Sequence, residues 1–246
     1  MTAALPLVLR PSGAGAVMAS RREAPDSLDL FCTPPWATRA LIQHVLRPRG
    51  LAGAGRWPSA WEPACGLGHV SAVLEEAFAP VIATDVHDHG GVRERWPAGW
   101  FRAQDFLDTA AETPDVDWIV TNPPFRLAEA FALRAFALAR VGVALLVRTA
   151  WLEGEGRWRR LFDVYRPTVV AQFAERVPMV KGRWDPAAST ATAYAWVVWV
   201  RPDQDRPNDG PTELRWIPPC RDALTRPDDA ARFGALGSAP LLAAAE

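Results

Sequence analysis

Residues 60–85, AWEPACGLGHVSAVLEEAFAPVIATD, decide the fold of this chain. A short apolar segment leads into a turn that contains Gly66 and Gly68, and a helical pattern follows. The next apolar run ends at Asp85. Strand, glycine turn, helix and strand in this order are typical of a parallel sheet covered by helices on both faces. Glycines at such a turn can adopt positive φ and allow a ligand to approach the backbone.

The same alternation continues along the chain. Further strands are predicted in DWIVTN, VALLVRTAW, PTVVAQFAERV and TAYAWVVWVR, the last of which is expected to be the final strand. Helices are predicted in PPWATRALIQHVL, EGRWRRLFDVY and LAEAFALRAFALARVG, the last closed by Gly142. We therefore expect one α/β domain over residues 28–222, a doubly wound and mostly parallel sheet. Residues 1–27 are expected to be a flexible N-terminal tail and residues 223–246 a low-complexity C-terminal tail.

Composition limits the classes of partner. The 246 residues carry a formal net charge of −1, and Lys181 is the only lysine. Nucleic-acid binding would therefore depend on a local basic patch and not on a global field. Three widely spaced cysteines fit no disulfide framework, which favours a cytoplasmic protein. No apolar run reaches membrane-spanning length, so no membrane partner is expected.

The polar residues at the predicted strand ends mark the candidate site, because open α/β sheets bind ligands beyond the carboxyl ends of their strands. These residues are Glu62, Asp85, Asp105 and Asn122. The glycine turn lacks the third glycine of a dinucleotide fingerprint, since Ser71 stands there. Glu62 would also repel a pyrophosphate. An acid at that point suits a cationic ligand, such as one with an amino group or a sulfonium.

Two acids have a predicted role toward a nucleoside. Asp85 is placed to accept hydrogen bonds from both hydroxyls of a ribose, although it could simply end the strand in a turn. Asp105 could accept from an exocyclic adenine amine, with Phe106 or its backbone beside the ring; the alternative is a helix N-cap. Residues 87–89, His-Asp-His, suggest a metal site, but no further His or Cys cluster completes a shell, so no metal is expected.

The tetrapeptide Asn122-Pro123-Pro124-Phe125 suits an exocyclic amine of a nucleobase as the target. The lone pair of such an amine is delocalised into the ring, so the amine attacks poorly. The Asn122 side-chain oxygen and the Pro123 carbonyl could accept both N–H groups and favour a pyramidal nitrogen. Neither group is a strong base, which fits catalysis by positioning and electrostatics. Phe125 could stack on the base, and the prolines would hold the acceptors rigid. The alternative is an ordinary strand-to-loop turn.

Six motifs, TPPWATRAL, WEPACGLGHVS, ATDVHDHG, QDFLD, TNPPF and ERVPMVKGRWDP, resemble the class I S-adenosylmethionine-dependent amino-methyltransferases, specifically the DNA adenine-N6 type of phages and prophages. The resemblance covers about residues 28–222 and implies a Rossmann-like methyltransferase fold with S-adenosyl-L-methionine as cofactor. It implies cofactor contacts from Thr33, Pro34, Trp36, Glu62, Ala64, Gly66, Gly68, Asp85 and Asp105. It implies a target pocket formed by Asn122, Pro123 and Phe125. The Asn at the head of the tetrad favours adenine N6, although cytosine N4 enzymes overlap.

Recognition of the target is expected to be relaxed or confined to short loops. The segment from Gly66 to Asn122 leaves no room for a recognition domain, and only a short tail follows Val200. The best candidate loop is residues 180–190, VKGRWDPAAST. Its substrate-binding residues would be Lys181 and Arg183, which could meet phosphates, and Trp184, which could wedge or stack. Pro124 of the tetrapeptide is a further predicted substrate-binding residue.

That loop could equally be a surface loop with a structural tryptophan. The basic cluster at residues 157–160, RWRR, could touch a phosphate or form the solvated face of a short helix.

The sequence thus predicts a methyltransferase that uses S-adenosylmethionine to modify the N6 amine of adenine in DNA. The same chemistry on cytosine N4, an RNA base or a protein glutamine amide stays open. A non-catalytic binding module with this fold is the alternative from another class.

Overall fold

Eight strands form one mixed sheet in the computed structural model, which describes residues 29–52, 55, 57–89, 101–201 and 210–234. The strands are β1 (Ala60–Glu62), β2 (Val81–Asp85), β3 (Phe101–Ala103), β4 (Trp118–Thr121), β5 (Gly142–Arg148), β6 (Val169–Phe173), β7 (Tyr194–Val200) and β8 (Glu213–Ile217). Their order across the sheet is β3-β2-β1-β4-β5-β7-β6-β8.

Strands β1 to β5 run parallel to one another, and β7 is antiparallel to both of its neighbours, β5 and β6. The predicted mostly parallel, doubly wound sheet is therefore confirmed. The chain proceeds outward from β1 to β3 on one side and from β4 to β5 on the other. The switch point thus lies between β1 and β4, where Trp61 pairs with Ile119. The ligand site of a doubly wound sheet lies at this point, beyond the carboxyl ends of the strands.

The helices are α1 (Pro35–Leu41), α2 (His69–Leu74), α3 (Ala128–Leu138), α4 (Glu155–Arg157), α5 (Arg221–Leu224) and α6 (Asp229–Phe233). π-Helical turns extend α1 over Ile42–Leu46 and α4 over Trp158–Phe162. Short 3-10 turns span Arg47–Arg49 and Thr149–Leu152. Pro35 opens α1, as its fixed φ and missing N–H allow. Within the described ranges, no helix is both long enough and apolar enough to cross a membrane.

Two apolar layers enclose the sheet because successive side chains of a strand point to opposite faces. In β4, Trp118 and Val120 pack with α1 and α2 on one face, and Ile119 packs with α3 on the other. Both faces are thus covered, which explains why the central strands are continuously apolar.

Gly142 does not close a helix, so that expectation is wrong. Helix α3 already ends at Leu138, with Ala139 in an extended conformation, and Gly142 is the first residue of β5. A Cβ at Gly142 would lie 2.6 Å from the Trp118 ring and 2.7 Å from the Trp199 carbonyl oxygen. Close packing between strands, and not a helix cap, requires glycine here.

The C-terminal part of the fold also differs from expectation. Strand β7 is not the last, because β8 follows it and pairs in parallel with β6. Helix α6 lies inside the segment 223–234 assigned to a tail, and its Asp229 and Phe233 are buried. The Arg39 side chain of α1 holds Asp229 through two hydrogen bonds of 2.7 Å. The segment 223–234 is therefore packed on the fold, while the predicted tail segments 1–27 and 235–246 lie outside the described residues.

Candidate active site

The glycine turn connects β1 to α2 at the switch point of the sheet. Gly66 and Gly68 have φ values of +52° and +80°, which residues other than glycine rarely adopt. A Cβ at Gly66 would also lie 2.7 Å from the Leu30 Cδ1 atom. The sequence prediction of a tight glycine turn at a strand-to-helix junction is confirmed.

Glu62 is buried at the end of β1, with 1% of its surface exposed. Its Oε2 atom accepts hydrogen bonds from the backbone N–H of Ser71, at 2.6 Å, and from the Ser71 hydroxyl. Burial raises the pKa of Glu62 to about 8, although the Ser71 hydrogen bonds oppose the rise. The serine that breaks the dinucleotide pattern thus anchors this acid to α2. A cation bound nearby would favour the ionised form of Glu62.

Asp85 ties the end of β2 to the glycine turn. Its Oδ2 accepts a hydrogen bond from the Gly66 N–H at 2.9 Å, and its Oδ1 accepts one from the His87 N–H at 3.0 Å. The His89 Nε2 atom lies 3.4 Å from the same Oδ1. Burial alone would raise the pKa of Asp85, but the hydrogen bonds from His89, His87 and Gly66 outweigh it and leave that pKa below its ordinary value. Asp85 is therefore ionised at neutral pH.

In the segment 87–89, which suggested a metal site, His87 and His89 contact Asp85 instead. Among the described residues, no group of three or more metal-binding side chains is found.

Asp105 and Phe106 occupy the loop after β3. Asp105 is exposed, and its Oδ1 accepts a hydrogen bond from the Leu107 N–H at 2.8 Å, so it caps a turn and not a helix. The Phe106 ring is 2% exposed and packs between Trp61 and Phe131, at centroid distances of 5.1 and 4.8 Å. That ring belongs to the core, which leaves only the backbone of Phe106 as a candidate ligand contact.

A stretch of chain before α1, residues 29–33, runs over the strand ends, and we refer to it as the covering segment. The Asp29 Oδ2 atom accepts a hydrogen bond from the Phe125 N–H at 2.7 Å, and the Leu30 carbonyl accepts one from the Gly182 N–H at 2.9 Å. Phe31 pairs with Lys181 through an isolated β-bridge. The covering segment thus joins the tetrapeptide loop to the loop around Gly182.

Asn122 follows β4 directly, and its amide has a fixed orientation. The Nδ2 atom donates hydrogen bonds to the Phe31 carbonyl and the Thr33 hydroxyl, each at 3.1 Å, and contacts the Met179 sulfur at 3.6 Å. The Oδ1 atom is buried and has no hydrogen-bond partner among the described residues. A buried acceptor without a donor costs about 1–3 kcal/mol. The side chain is therefore held with its oxygen available to a donor from outside the chain.

Three side chains surround the ring of Phe125. Phe31 and Tyr194 lie at centroid distances of 5.4 and 6.5 Å, and the Arg148 guanidinium lies 3.9 Å from the ring centroid. Tyr194 is buried and Phe31 partly buried, whereas Arg148 is exposed. The two prolines of the tetrapeptide differ in exposure, since Pro123 is buried and Pro124 is partly buried. Phe125 thus lies at the rim of the site, with a cation on its solvent side.

The residues predicted from TPPW lie mostly in the interior. Trp36 is fully buried and meets the Phe173 ring edge-on at 5.6 Å, so its side chain belongs to the core. Pro34 is buried, and its carbonyl accepts the first hydrogen bond of α1, from Ala37. Thr33 turns its hydroxyl to Asn122 and thus contacts the predicted target pocket.

Ala64 is partly buried in the turn after β1, two residues from the positive-φ Gly66.

The predicted recognition loop is placed beside the covering segment, but not with all of its side chains available. Trp184 is 6% exposed and packs in the core, so the expectation that it wedges or stacks on a substrate is wrong. Lys181 and Arg183 are exposed on a tight turn in which Val180 pairs with Arg183 and Gly182 has a φ of +74°. Contacts of these two cations with phosphates stay predictions.

Sequence reasoning missed several residues of the site: Asp29, Phe31, Arg148, Met179 and Tyr194. Arg148 carried a signal, because it ends β5, the strand next to β4, and ligand sites lie at strand ends. The others contact the site from segments distant in sequence, and no local pattern marks them.

No protein-family model and no curated protein sequence matches this chain. Solved structures do match it. A proposed class I S-adenosylmethionine-dependent methyltransferase from Listeria monocytogenes is 14% identical, with 83% of this chain and 70% of that chain covered and a TM-score of 0.53. A proposed RNA methyltransferase from Pyrococcus horikoshii is 16% identical over 70% of this chain and 86% of that one, with a TM-score of 0.49. The magnesium protoporphyrin IX methyltransferase of Synechocystis, crystallised with bound S-adenosylmethionine, is 15% identical. The match covers 68% of this chain and 80% of that chain, with a TM-score of 0.47.

Such low identities establish the architecture alone. The chain has the Rossmann-like fold of the class I methyltransferases, and what it does is argued from its own residues.

Proposed function

We propose that this protein is an S-adenosylmethionine-dependent methyltransferase that modifies the exocyclic N6 amine of adenine in DNA. The observation that carries the proposal is the Asn122 side chain, whose amide nitrogen is satisfied and whose buried Oδ1 has no donor among the described residues. An exocyclic amine offers two N–H donors. One would donate to Asn122 Oδ1 and the other to the Pro123 carbonyl.

The cofactor side of the site supports the same proposal. Asp85 is an ionised acceptor at the end of β2, where a ribose would present its hydroxyls. Glu62 gains from a nearby cation because burial raises its pKa to about 8. The positive-φ glycines leave the turn without a side chain at positions 66 and 68. These residues fit S-adenosylmethionine, which supplies an electrophilic methyl group on a positively charged sulfur.

The chemistry asked of the chain is positioning. Accepting both N–H groups of the amine would favour a pyramidal nitrogen, with its lone pair out of the ring plane and free to attack. Asn122 is neutral and cannot take the proton, so the methylated amine, which is positively charged after the transfer, would release it to water. Holding the reactants in this geometry is worth several kcal/mol in enzymes generally. Phe125 would stack on the base once it has left the duplex, which offsets part of the unstacking cost of a few kcal/mol.

Cytosine N4, an RNA base and a protein glutamine amide also present an NH₂ group with two donors, so Asn122 by itself does not choose among them. The partly buried ring of Phe125 beside Asn122 favours a planar aromatic acceptor over a glutamine amide. The non-catalytic alternative is weaker, because a binding module has no need of a buried amide oxygen held without a donor.

The test uses purified protein, methyl-labelled S-adenosylmethionine and unmethylated DNA, with digestion to nucleosides and mass spectrometry. Labelled N6-methyladenine is expected from the wild type and at least a hundredfold less from Asn122→Ala, which loses an acceptor to the reacting amine. Calorimetry should show similar cofactor affinity in both proteins. Labelled N4-methylcytosine would overturn the choice of adenine. A protein that binds no cofactor would overturn the proposal as a whole.

A further inference from the structure

Arg148 holds a position that the proposed chemistry does not explain. Its guanidinium carbon lies 3.9 Å from the centroid of the Phe125 ring, which is a stacking distance. Arg148 is the last residue of β5, next to β4 in the sheet, so it reaches Phe125 from the edge of the sheet where Asn122 lies. A planar guanidinium on this ring therefore rests where a planar base could rest.

The other neighbours of the Phe125 ring are held in place. Tyr194 is buried in β7, and the Phe31 backbone is bound to Asn122. Arg148 is exposed, so it is the neighbour that can swing away from the ring. Burial raises the pKa of the Tyr194 hydroxyl and the nearby charge of Arg148 opposes that rise, so the two side chains interact beside the Phe125 ring.

The charge of Arg148 has no ion-pair partner in the described ranges of the chain. Among the described residues, no Asp or Glu lies within ion-pair distance of it, whereas Arg160 pairs with Glu129 and Arg183 lies 3.4 Å from Asp185. Arginine matches the geometry of a phosphate through two parallel hydrogen bonds. With a formal net charge of −1, this chain needs such local cations to hold a polyanion.

We propose that Arg148 covers the stacking face of Phe125 in the free protein and moves to a backbone phosphate of the nucleic acid when the target base enters. The inference rests on the proposed function and specifies a nucleic acid as the substrate. A guanidinium left on the Phe125 ring would occupy the place of the base, and its charge would oppose the positive charge that develops on the amine during attack. A productive complex therefore requires that Arg148 leave the ring, and the phosphate stabilises its new position.

The test measures DNA binding by fluorescence anisotropy at several salt concentrations, together with methylation kinetics and cofactor calorimetry. In Arg148→Ala, the dissociation constant for DNA should rise about tenfold, and the slope of log affinity against log salt should become shallower by about one, as for one lost phosphate contact. Arg148→Lys keeps the charge and should retain the wild-type slope. Cofactor affinity should be unchanged in both variants.

Tyr194→Phe tests the displacement step separately. It keeps the ring and removes the hydroxyl that interacts with Arg148, so the base should displace the guanidinium more easily. DNA should bind about two- to threefold more tightly, as expected for the loss of one weak polar interaction, at an unchanged salt slope. The matched control is Arg232→Ala, which removes an arginine that also lies over an aromatic ring, Phe233, at 5.0 Å. That variant should bind DNA like the wild type.

Three results would overturn the inference. If Arg148→Ala shows the wild-type salt slope while the wild type still methylates DNA, Arg148 makes no phosphate contact and the proposed function is unaffected. Equal weakening by Arg148→Ala and Tyr194→Phe would mean that Arg148 acts from its stacked position. A wild type that methylates a protein amide and no nucleic acid would overturn both proposals.

Discussion

The Thr33 hydroxyl accepts a hydrogen bond from the Asn122 amide nitrogen at 3.1 Å and so helps to hold that amide in place. The Phe31 carbonyl accepts from the same nitrogen at the same distance. Because a backbone carbonyl can only accept, the Phe31 oxygen requires the Asn122 nitrogen on its side and directs the Asn122 oxygen away, whereas the Thr33 hydroxyl can either accept or donate. Phe31 of the covering segment therefore sets which end of the Asn122 amide is offered to the pocket, and Thr33 supports that position.

Thr33→Val removes one of these acceptors and keeps the shape of the side chain. The Asn122 amide then keeps only the Phe31 carbonyl as an oxygen acceptor, so it should leave the productive position more often. We expect kcat to fall about tenfold, in line with the loss of about 1–1.5 kcal/mol from one hydrogen bond. The cofactor dissociation constant should change little. Unchanged methylation kinetics would show that the Phe31 carbonyl alone is enough to hold the amide in place.

Asp85→Asn tests the proposed ribose acceptor. The amide that replaces the carboxylate loses the charge that strengthens its hydrogen bonds, so cofactor affinity measured by calorimetry should fall about ten- to a hundredfold. Asp105→Asn is the matched comparison, since Asp105 is exposed and bonded to the Leu107 N–H. A larger loss in Asp105→Asn than in Asp85→Asn would contradict these assignments.

Glu62 predicts a pH dependence of stability in the cofactor-free protein. Burial raises its pKa to about 8, well above the ordinary value of 4.5, so the folded state binds one proton more than the unfolded state between these values. The stabilisation that this proton adds to the free energy of unfolding is complete below about pH 4.5. It is lost as the pH rises toward 8, with a slope of up to about 1.4 kcal/mol per pH unit.

Glu62→Gln should remove that slope, because glutamine does not titrate. Urea denaturation of both proteins at pH 5.5, 6.5 and 7.5 measures the difference. If the free energies of unfolding of the two proteins differ by a constant amount across this range, the assigned pKa of Glu62 is refuted.

Asp229 links α6 to α1 through Arg39, and both side chains are buried. Asp229→Ala leaves the Arg39 charge without its two shortest hydrogen bonds, so the free energy of unfolding should fall by about 3–5 kcal/mol. Arg232→Ala, on the same helix but partly exposed, should cost well under 1 kcal/mol. Urea denaturation distinguishes the two, and similar small losses in both would mean that α6 adds little to stability.

Much of the fold followed from local patterns. The strand from Val81 to Asp85 and the helix from Pro35 were predictable because apolar runs, glycines and prolines act within a few residues. Strand β8 was missed because it alternates charged residues with apolar ones and lies at the sheet edge. Gly142 was misassigned because the Trp118 ring that requires it to be glycine is contributed by another strand.

The site divides in the same way. The tetrapeptide at Asn122 was visible because two prolines and an aromatic residue are contiguous. The bond that orients its amide joins it to Phe31, 91 positions away, and sequence spacing does not encode such a contact. Trp36 and Trp184 were assigned to ligands, yet both are buried. A tryptophan beside a motif gives the same sequence signal whether it packs inward or faces a substrate.

The covering segment places a condition on biosynthesis. It is the first described part of the chain to leave the ribosome. Its Leu30 carbonyl accepts a hydrogen bond from the Gly182 N–H, and Gly182 is translated more than a hundred residues later. Until then, the chain can build β1 to β4 and bring Asn122 to the sheet edge without that attachment of the segment. A nascent chain that ends before Gly182 would thus be expected to hold the Asn122 amide less firmly. Competence for the proposed reaction then arrives late in translation, after most of the sheet has formed.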